Sequence, residues 1–384
     1  SSLSAAQRRL ASRLMEEHAA TLAYADHQIG RVVAALRAAD PAGQTLVIYL
    51  QGDNGGSPEG GPGGLMFEQS QINGTPEDPR WQLEHIDEIG SGMLYNTYPA
   101  GWGWAMNTPF QWYKRVGSHF GGIRNGLVIS WPGHLGEPGG VRSQFHHVSD
   151  IAPTILDAVG VEPPAAIDGV AQQRFDGISM RYTFQAPRAP PRRHTQVFEM
   201  MENLGLYHDG WMLSSTPIVV PWDLAATPRV PLAARRWELY DLERDFSQAR
   251  DLAAREPARL ASLQQRLWEE AERNHILPVH RLDEGREGMP DPAAGRTHFE
   301  FHAGESRIPE FAGAPPVAGR SFTLSADATV PAGGGHGVLA AHGGRFGGYA
   351  LYLDDGHLTF HYNALTDRRY TVRAADKVGA GTHV

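Results

Sequence analysis

The stretch TLVIYLQGDNGGS, residues 45–57, decides the fold of this chain. Residues 45–50 form a continuous apolar run, which is typical of a strand buried on both faces of a parallel sheet with helices above and below. Ligands of such sheets bind beyond the carboxyl ends of the strands, and here that position holds Asp53 and Asn54 in a glycine-rich loop. Their oxygen atoms suit Ca²⁺ or Mg²⁺. Asp-Asn-Gly is equally good turn chemistry, so this stretch alone leaves a metal site and a simple turn both open.

A long helical pattern precedes this strand. Residues 5–39 are rich in Ala, Leu, Arg and Glu, with apolar residues at helical spacing, and the Asp-Pro-Ala-Gly sequence at 40–43 ends the pattern. A helix that leads into a buried strand is half of a βαβ unit. We therefore expect the preceding strand to lie before residue 1 and the amino-terminal part of the sheet to be missing.

The segment after the strand has no sustained periodicity. Residues 55–109 are rich in Gly, Pro and large aromatic residues, which predicts either an ordered lid over a pocket or an insertion packed on the sheet edge. A basic, glycine-rich segment at 112–125 then leads into a second apolar strand at 126–131. Ser149-Asp150 is expected to cap a helix that ends at Gly160.

The second half of the chain changes to short strands. Strands at 195–200, 206–212 and 237–240, with a helix at 257–273, predict a small antiparallel α+β subdomain over 195–275.

The carboxyl-terminal part alternates apolar and polar residues. Strands are predicted at 321–326, 338–340, 348–353 and 357–362, which are too few to close two sheets. The sequence therefore predicts two domains, 1–282 and an incomplete all-β sandwich at 298–384, with a linker between about 282 and 295.

Composition excludes several classes of protein. The 384 residues carry a net charge of −9, which gives no electrostatic footprint for nucleic acid, and no apolar run is long enough to span a membrane. We expect neither nucleic acid nor a membrane as a partner. The absence of cysteine excludes disulfides, thiolate zinc sites and a cysteine nucleophile within these residues. The oligomeric state is left open.

Several motifs follow one another in a fixed order. They are TLVIYLQGDNG at 45–55, Lys114, GGIR at 121–124, WPG at 131–133 and HVSDIAPTIL at 147–156. In this order they resemble the carboxyl-terminal part of the sulfatase family, above all long bacterial arylsulfatases with an appended β-sandwich. The resemblance implies an alkaline-phosphatase-like α/β sheet with helices on both faces. It also implies hydrolysis of a small-molecule sulfate ester, and it leaves bacterial cytoplasm and periplasm both open as the compartment.

The family's nucleophile is not found in this chain. The resemblance implies a formylglycine made from the Cys or Ser of a Cys/Ser-x-Pro-x-Arg motif, and the nearest match, SWPGH at 130–134, lacks the Arg. We therefore expect the formylglycine in the missing amino-terminal part and expect this fragment to be inactive alone. The pair Asp354-Asp355 precedes Gly356 between two alternating strands, so it predicts a hairpin turn and not the family's Asp-Asp metal ligands.

The resemblance assigns roles to three residues, Asp53, Asn54 and Lys114. Asp53 and Asn54 match the pair that ligates a divalent cation, usually Ca²⁺, with Mg²⁺ possible. Such a cation neutralises the sulfate and polarises its S–O bonds. Lys114 matches the lysine that binds the sulfate oxygens and supports catalysis, with Arg115 as a rival because one extra residue separates Lys114 from the GGIR motif. For His119 the sequence leaves substrate binding and core packing equally open.

Other polar residues nearby have structural interpretations. Arg124 is expected to make a structural ion pair that holds the loop. His146, His147 and Asp150 resemble a metal cluster, but their place at a helix start predicts capping and packing. Two alternative functions stay open: a phosphodiesterase or phosphonate hydrolase of the same superfamily, and a non-catalytic glycan-binding protein that uses the β-sandwich.

Overall fold

A computed structural model describes most of the chain. The described residues are 3–72, 75–217, 222, 230–279, 290, 292–302, 304, 308–309, 313–317, 319–344, 346–365 and 368–384. The chain divides into two compact units. The first comprises Ser1–Met66, Pro79–Ser91 and Asn96–Val279, and the second comprises Phe67–Asp78, Gly92–Tyr95 and His280–Val384. The predicted domain limits stay a prediction, and most of the predicted linker lies outside the described residues.

The described residues form helices and antiparallel sheets, which makes the fold mixed α/β. The α-helices are α1 (Ala5–Ala39), α2 (Glu68–Ile72), α3 (Pro79–Glu84), α4 (Ala100–Asn107), α5 (Phe120–Ile123), α6 (Ile151–Val159), α7 (Tyr182–Gln185) and α8 (Pro257–Arg273). The strands of the first unit are β1 (Val47–Leu50), β2 (Leu127–Ser130), β3 (Ala166–Ile167), β4 (Val170–Ala171), β5 (Thr195–Met200), β6 (Asn203–His208), β7 (Trp211–Ser215) and β8 (Trp237–Asp241). Those of the second are β9 (Ala328–Val330), β10 (Gly337–Gly344), β11 (Gly347–Asp354), β12 (His357–Ala364), β13 (Arg368–Lys377) and β14 (Gly381–His383).

Helix α1 covers the residues predicted from the helical spacing. It begins with a capping box, in which Gln7 N donates to Ser4 Oγ over 3.2 Å and Ser4 N donates to Gln7 Oε1 over 2.8 Å. Leu10 and Leu14 are its buried residues. None of the described helices is long and apolar enough to cross a membrane.

The central strand differs from the prediction. Strand β1 pairs antiparallel with β2, in a register that sets Val47 opposite Ser130 and Leu50 opposite Leu127. Within the described residues these two strands form a sheet by themselves, and Tyr49 in β1 is 37% exposed. The prediction of a parallel strand buried on both faces was wrong here, because an apolar run indicates a strand but carries no information about the direction of its partner. The alkaline-phosphatase-like sheet covered by helices on both faces stays a prediction.

The antiparallel sheet and helix predicted for residues 195–273 are present, with one strand predicted wrongly. Strands β5 to β8 pair in chain order, and α8 covers the predicted residues 257–273. Buried apolar side chains of the sheet and of α8 form one core cluster: Leu204, Leu206, Leu213, Trp237, Leu239, Leu263 and Leu267. The single predicted strand at 206–212 was wrong, since Asp209 and Gly210 adopt positive φ angles of 44° and 81° and turn the chain between β6 and β7.

The second unit contains a four-stranded antiparallel sheet, β10 to β13, and a separate pair of β9 with β14. The predicted turn is confirmed: Asp355 and Gly356 have positive φ angles, and Asp354 pairs with His357 across a two-residue hairpin. The strand predicted at 321–326 was wrong, because these residues make no strand pairing. Strands β9, β13 and β14 were not predicted from the sequence.

Candidate active site

The loop after β1 is tied into the first unit by its backbone. Gly55 N donates to Gly122 O over 3.1 Å, and Gly56 N donates to Asn107 Oδ1 over 2.8 Å. Ser57 N then donates to Tyr98 Oη over 2.8 Å. These bonds fix residues 55–57 against the segment that carries Lys114.

Glycine makes this close contact possible. A Cβ atom on Gly55 would lie 1.7 Å from Gly121 O, and one on Gly121 would lie 2.0 Å from Gln111 O. A Cβ on Gly122 would lie 2.2 Å from Val116 O. No residue with a side chain fits at these positions without movement of the backbone. The paired glycines therefore hold the two loops at van der Waals distance.

The backbone around Lys114 is unusual. Trp112 and Arg115 adopt φ angles of 70° and 77°, a region that residues with a Cβ atom rarely occupy. Lys114 lies between them, and its N donates to Gly56 O over 3.2 Å. Strained backbone of this kind clusters at functional sites, where the surrounding packing maintains it.

A buried carboxylate lies beneath both candidate cations. Lys114 Nζ lies 2.9 Å from Glu59 Oε2, and an Arg115 guanidinium nitrogen lies 2.6 Å from Glu59 Oε1. Ser57 Oγ also donates to Glu59 Oε2 over 2.9 Å. Burial acts to raise the pKa of the Glu59 carboxyl, but the hydrogen bonds from Lys114 and Ser57 and the nearby positive charges outweigh it and lower this pKa below its ordinary value.

The predicted metal ligands lie at the mouth of the same loop. Asp53 is exposed and Asn54 is partly buried, with Asn54 Nδ2 donating to Gly55 O over 2.8 Å. This bond engages the amide nitrogen and leaves the amide oxygen for a cation. No cluster of three or more His, Asp or Glu side chains suited to a metal occurs among the residues that the structure describes. The donor chemistry therefore fits Ca²⁺ or Mg²⁺, but the two donors are fewer than the roughly six to eight that Ca²⁺ takes.

His119 lies away from the exposed rim of the loop. Its side chain is fully buried, with Nδ1 2.9 Å from Ser118 Oγ and Nε2 3.0 Å from Glu238 Oε2. Burial acts to raise the pKa of Glu238, and its contacts with His119 and Tyr240 outweigh this and lower it. Burial and the adjacent carboxylate raise the pKa of Tyr240. Both ring nitrogens of His119 thus have protein partners, and its role in substrate binding stays a prediction.

Arg124 packs against aromatic rings and does not make the predicted ion pair within the described residues. Its guanidinium lies 4.2 Å from the centroid of the Phe246 ring and within 6 Å of the rings of Phe110 and Phe120. Burial lowers the pKa of Arg124. Aromatic faces, and not a carboxylate among the described residues, hold this side chain in place.

The cap predicted for α6 was wrong, because the Asp150 side chain makes no hydrogen bond to the first turn of that helix. Asp150 instead forms a capping box with His147 around the 3₁₀ turn Val148–Asp150 that leads into α6. Its fully buried carboxylate accepts from His147 N over 3.0 Å and Ile178 N over 2.9 Å, and it pairs with Arg193. His146 Nδ1 lies 3.0 Å from Asp150 Oδ2. Burial opposes the charge of Asp150, yet these hydrogen bonds hold its pKa far below the ordinary value. The cluster therefore anchors the start of α6.

Glu59 is the site residue that was not predicted from the sequence. A signal was present, because it is the one charged residue between Asp53 and Glu68. An isolated carboxylate in a Gly- and Pro-rich loop needs a cationic partner when it is buried.

The comparisons bear on this region of the chain. The family model described as Sulfatase matches residues 2–161, a range that contains both loops. The resemblance to the sulfatase family is thereby confirmed.

Among curated proteins, the arylsulfatase of Klebsiella aerogenes is 29% identical over 157 residues, which are 41% of this chain and 32% of the relative. An uncharacterized sulfatase of Schizosaccharomyces pombe is 26% identical over 257 residues, which are 66% of this chain and 43% of the relative. The chain thus spans about a third to two fifths of these relatives.

Solved structures show more distant likeness. A sulfatase from Pseudoalteromonas sp. is 17% identical, with a TM-score of 0.41 over 64% of this chain and 40% of its own. A protein solved with its substrate D-glucosamine-2-N,6-O-disulfate is 19% identical, with a TM-score of 0.30 over 41% of this chain and 30% of its own. TM-scores this low establish no detail of the fold or of the substrate.

Proposed function

We propose that this chain forms part of an arylsulfatase-like enzyme that hydrolyses sulfate monoesters. The observation that carries the proposal is the contact between the two loops, in which Gly55 N bonds to Gly122 O and Lys114 N bonds to Gly56 O. This contact ties the loop that follows Asp53 and Asn54 to the segment that carries Lys114. Its residues lie inside the range that matches the sulfatase family, and the Klebsiella relative is an arylsulfatase.

Lys114 supplies the positive charge that a sulfate ester requires. Its ammonium group is a compact point charge with three N–H donors, which suits the oxygens of a tetrahedral anion. Negative charge develops on these oxygens and on the leaving group as the S–O bond breaks. Loss of one donor that stabilises such charge costs roughly 10²- to 10³-fold in rate.

Asp53 and Asn54 would hold part of a divalent cation, Ca²⁺ or Mg²⁺. Such an ion supplies charge neutralisation and polarisation of the S–O bonds. The proposal assigns the nucleophile to a formylglycine outside these residues, since no Cys/Ser-x-Pro-x-Arg motif occurs in the sequence. The chain's own contribution is then sulfate binding through Lys114 and cation binding through Asp53 and Asn54.

The test compares sulfate and phosphate esters. The protein is expressed with the coding sequence that precedes Ser1 and assayed with an aryl sulfate, an aryl phosphate diester and an aryl phosphonate ester. We expect sulfate hydrolysis to dominate and Lys114→Ala to lower it roughly 10²- to 10³-fold. Lys377→Ala is the matched control, because Lys377 lies on a hairpin of the second unit. Hydrolysis of the phosphorus esters in place of the sulfate would favour the phosphodiesterase or phosphonate hydrolase alternative.

A further inference from the structure

Glu59 contacts both Lys114 and Arg115, the two candidates for the residue that binds sulfate. Its Oε2 atom accepts hydrogen bonds from Lys114 and Ser57, and its Oε1 atom pairs with Arg115. The carboxylate is only 11% exposed, whereas the Lys114 side chain is 36% exposed and that of Arg115 is 25% exposed. The carboxylate therefore lies beneath the two cations, and Lys114 is the more accessible of them.

The use of lysine in this chain is unusual. Of its 34 Lys and Arg residues, only Lys114 and Lys377 are lysines. Arginine supplies positive charge almost everywhere else. A flexible lysine side chain loses conformational entropy when it is held in one position. A fixed partner is therefore needed if the Lys114 ammonium group is to point at the substrate.

We propose that Glu59 is the positioning residue for Lys114. Its buried carboxylate holds the ammonium group by one of its three N–H donors and leaves two for a sulfate. The other carboxylate oxygen pairs with the guanidinium of Arg115. This inference rests on the proposed function, and it adds how Lys114, the more exposed of the two cations, is held for the substrate.

Close packing of the backbone around Glu59 and Lys114 supports this arrangement. Glu59 lies two residues after Ser57, and Lys114 is held between two residues with positive φ angles. A Cβ on Gly60 would lie 2.0 Å from Tyr98 O, so the backbone beside Glu59 is closely packed. A carboxylate on a fixed backbone fixes the group that it binds, in the way that outer-shell partners orient the ligands of a metal.

The experiment uses the two lysines as probes. The 384-residue chain is expressed with lysine that carries ¹³C at Cε, which labels Lys114 and Lys377 and keeps all three N–H donors of each ammonium group. NMR resolves the two Cε signals. Lys377 pairs with the exposed Asp355 over 3.0 Å and serves as the internal reference. We expect a dispersed Lys114 signal in the wild type and collapse to the position of a solvent-exposed lysine in Glu59→Gln. The Lys377 signal should not move, and Glu162→Gln, at an exposed position, should change neither signal.

Titration with inorganic sulfate at constant ionic strength separates positioning from simple charge competition. If Glu59 positions Lys114, Glu59→Gln weakens the sulfate response of the Lys114 signal about tenfold, the lower end of the effect of outer-shell partners. If Glu59 only competes with sulfate for the ammonium group, its neutralisation strengthens the response, and the proposal is overturned. An unchanged Lys114 signal in Glu59→Gln also overturns it.

Failure of the proposed function has a different signature. A Lys114 signal that depends on Glu59 but ignores sulfate leaves the positioning contact standing and removes the assigned sulfate contact. If circular dichroism shows that Glu59→Gln is unfolded, Glu59→Asp decides, because it keeps the charge but shortens the reach. A Lys114 signal and sulfate response identical to the wild type in Glu59→Asp would contradict positioning.

Discussion

At Gly55, Gly121 and Gly122 the lack of a side chain determines where the two loops of the candidate site meet. The sequence presents these residues as parts of two motifs 66 positions apart, Gly55 in the first and Gly121 in the second. Only the folded chain places Gly55 against Gly121 O and the two later glycines against the carbonyls of residues 111–116. The smallest residues thus set the geometry of the charged ones.

Gly121→Ala should disrupt this geometry. The new Cβ would meet Gln111 O and Trp112 O at 2.0 and 2.4 Å, so the loop must shift, and overpacking of this kind costs about 1–3 kcal/mol. The expected result is a lower urea midpoint together with a moved Lys114 Cε signal. Gly101→Ala in α4 is the control, because nothing lies within 4 Å of its Cβ position. Equal midpoints for the two variants would contradict the packing argument.

Asp53 and Asn54 should bind calcium weakly in this chain. Two oxygen donors without a third acidic ligand among the described residues predict a Kd at or above the weak end of protein sites, about 10⁻³ M. Calorimetric titration with CaCl₂ measures it, and Asp53→Asn should abolish the signal. Asp26→Asn, at an exposed position of α1, should leave it unchanged. Micromolar binding that survives Asp53→Asn would place the cation elsewhere.

At the scale of elements, the start of α6 depends on groups that titrate. Burial, reinforced by the charge of Arg193, lowers the pKa of His147, and Asp150 opposes this only in part. The pKa of Asp150 is also lowered. A depressed pKa in the folded state means that stability is full above the unfolded pKa and is lost as the pH falls below it. The cap should therefore weaken first below about pH 6.5, through His147, and again below about pH 3.9, through Asp150.

Urea midpoints measured from pH 8 to pH 3 test this order. His147→Asn keeps a neutral capping group and should flatten the loss of stability between about pH 6.5 and 5. Asp150→Asn leaves Arg193 buried without its charged partner, and it should lower the free energy of unfolding at pH 7 by about 3–5 kcal/mol. His27→Asn on the exposed surface of α1 is the control. A wild-type curve that is level from pH 7 to 5 would contradict the role of His147.

Elements differ in how well the sequence predicts them. Helices α1 and α8 have the predicted limits, because helical spacing and a Pro or Gly boundary are local signals. The hairpin between β6 and β7 was missed although its signal is local, because Asp209-Gly210 is the same turn chemistry that predicted the hairpin at Asp355-Gly356. The direction of β1 was also missed, since its partner β2 lies some 80 residues away and strand pairing is a long-range property.

At the scale of the whole molecule, the sequence lacks the motif for a formylglycine. We expect the 384-residue chain to give no turnover of an aryl sulfate, with or without Ca²⁺, because the nucleophile performs the chemical step. Absorbance of the released phenol measures this, with a complete sulfatase as positive control. Turnover that is lost in Lys114→Ala and kept in Lys377→Ala would mean that these residues contain the nucleophile.

Local patterns and the order of motifs were enough to predict the family resemblance, the two longest helices, the strands and helix of the antiparallel sheet except for one turn, and Asp53, Asn54 and Lys114 as candidates. Contacts between distant segments could not be predicted in this way. They bring the two loops together, bury His119 against Glu238 and set Glu59 beneath Lys114 and Arg115. The physical reason is that burial and ion pairing arise between residues far apart in the chain, 55 positions in the case of Glu59 and Lys114, and no local pattern encodes such a distance.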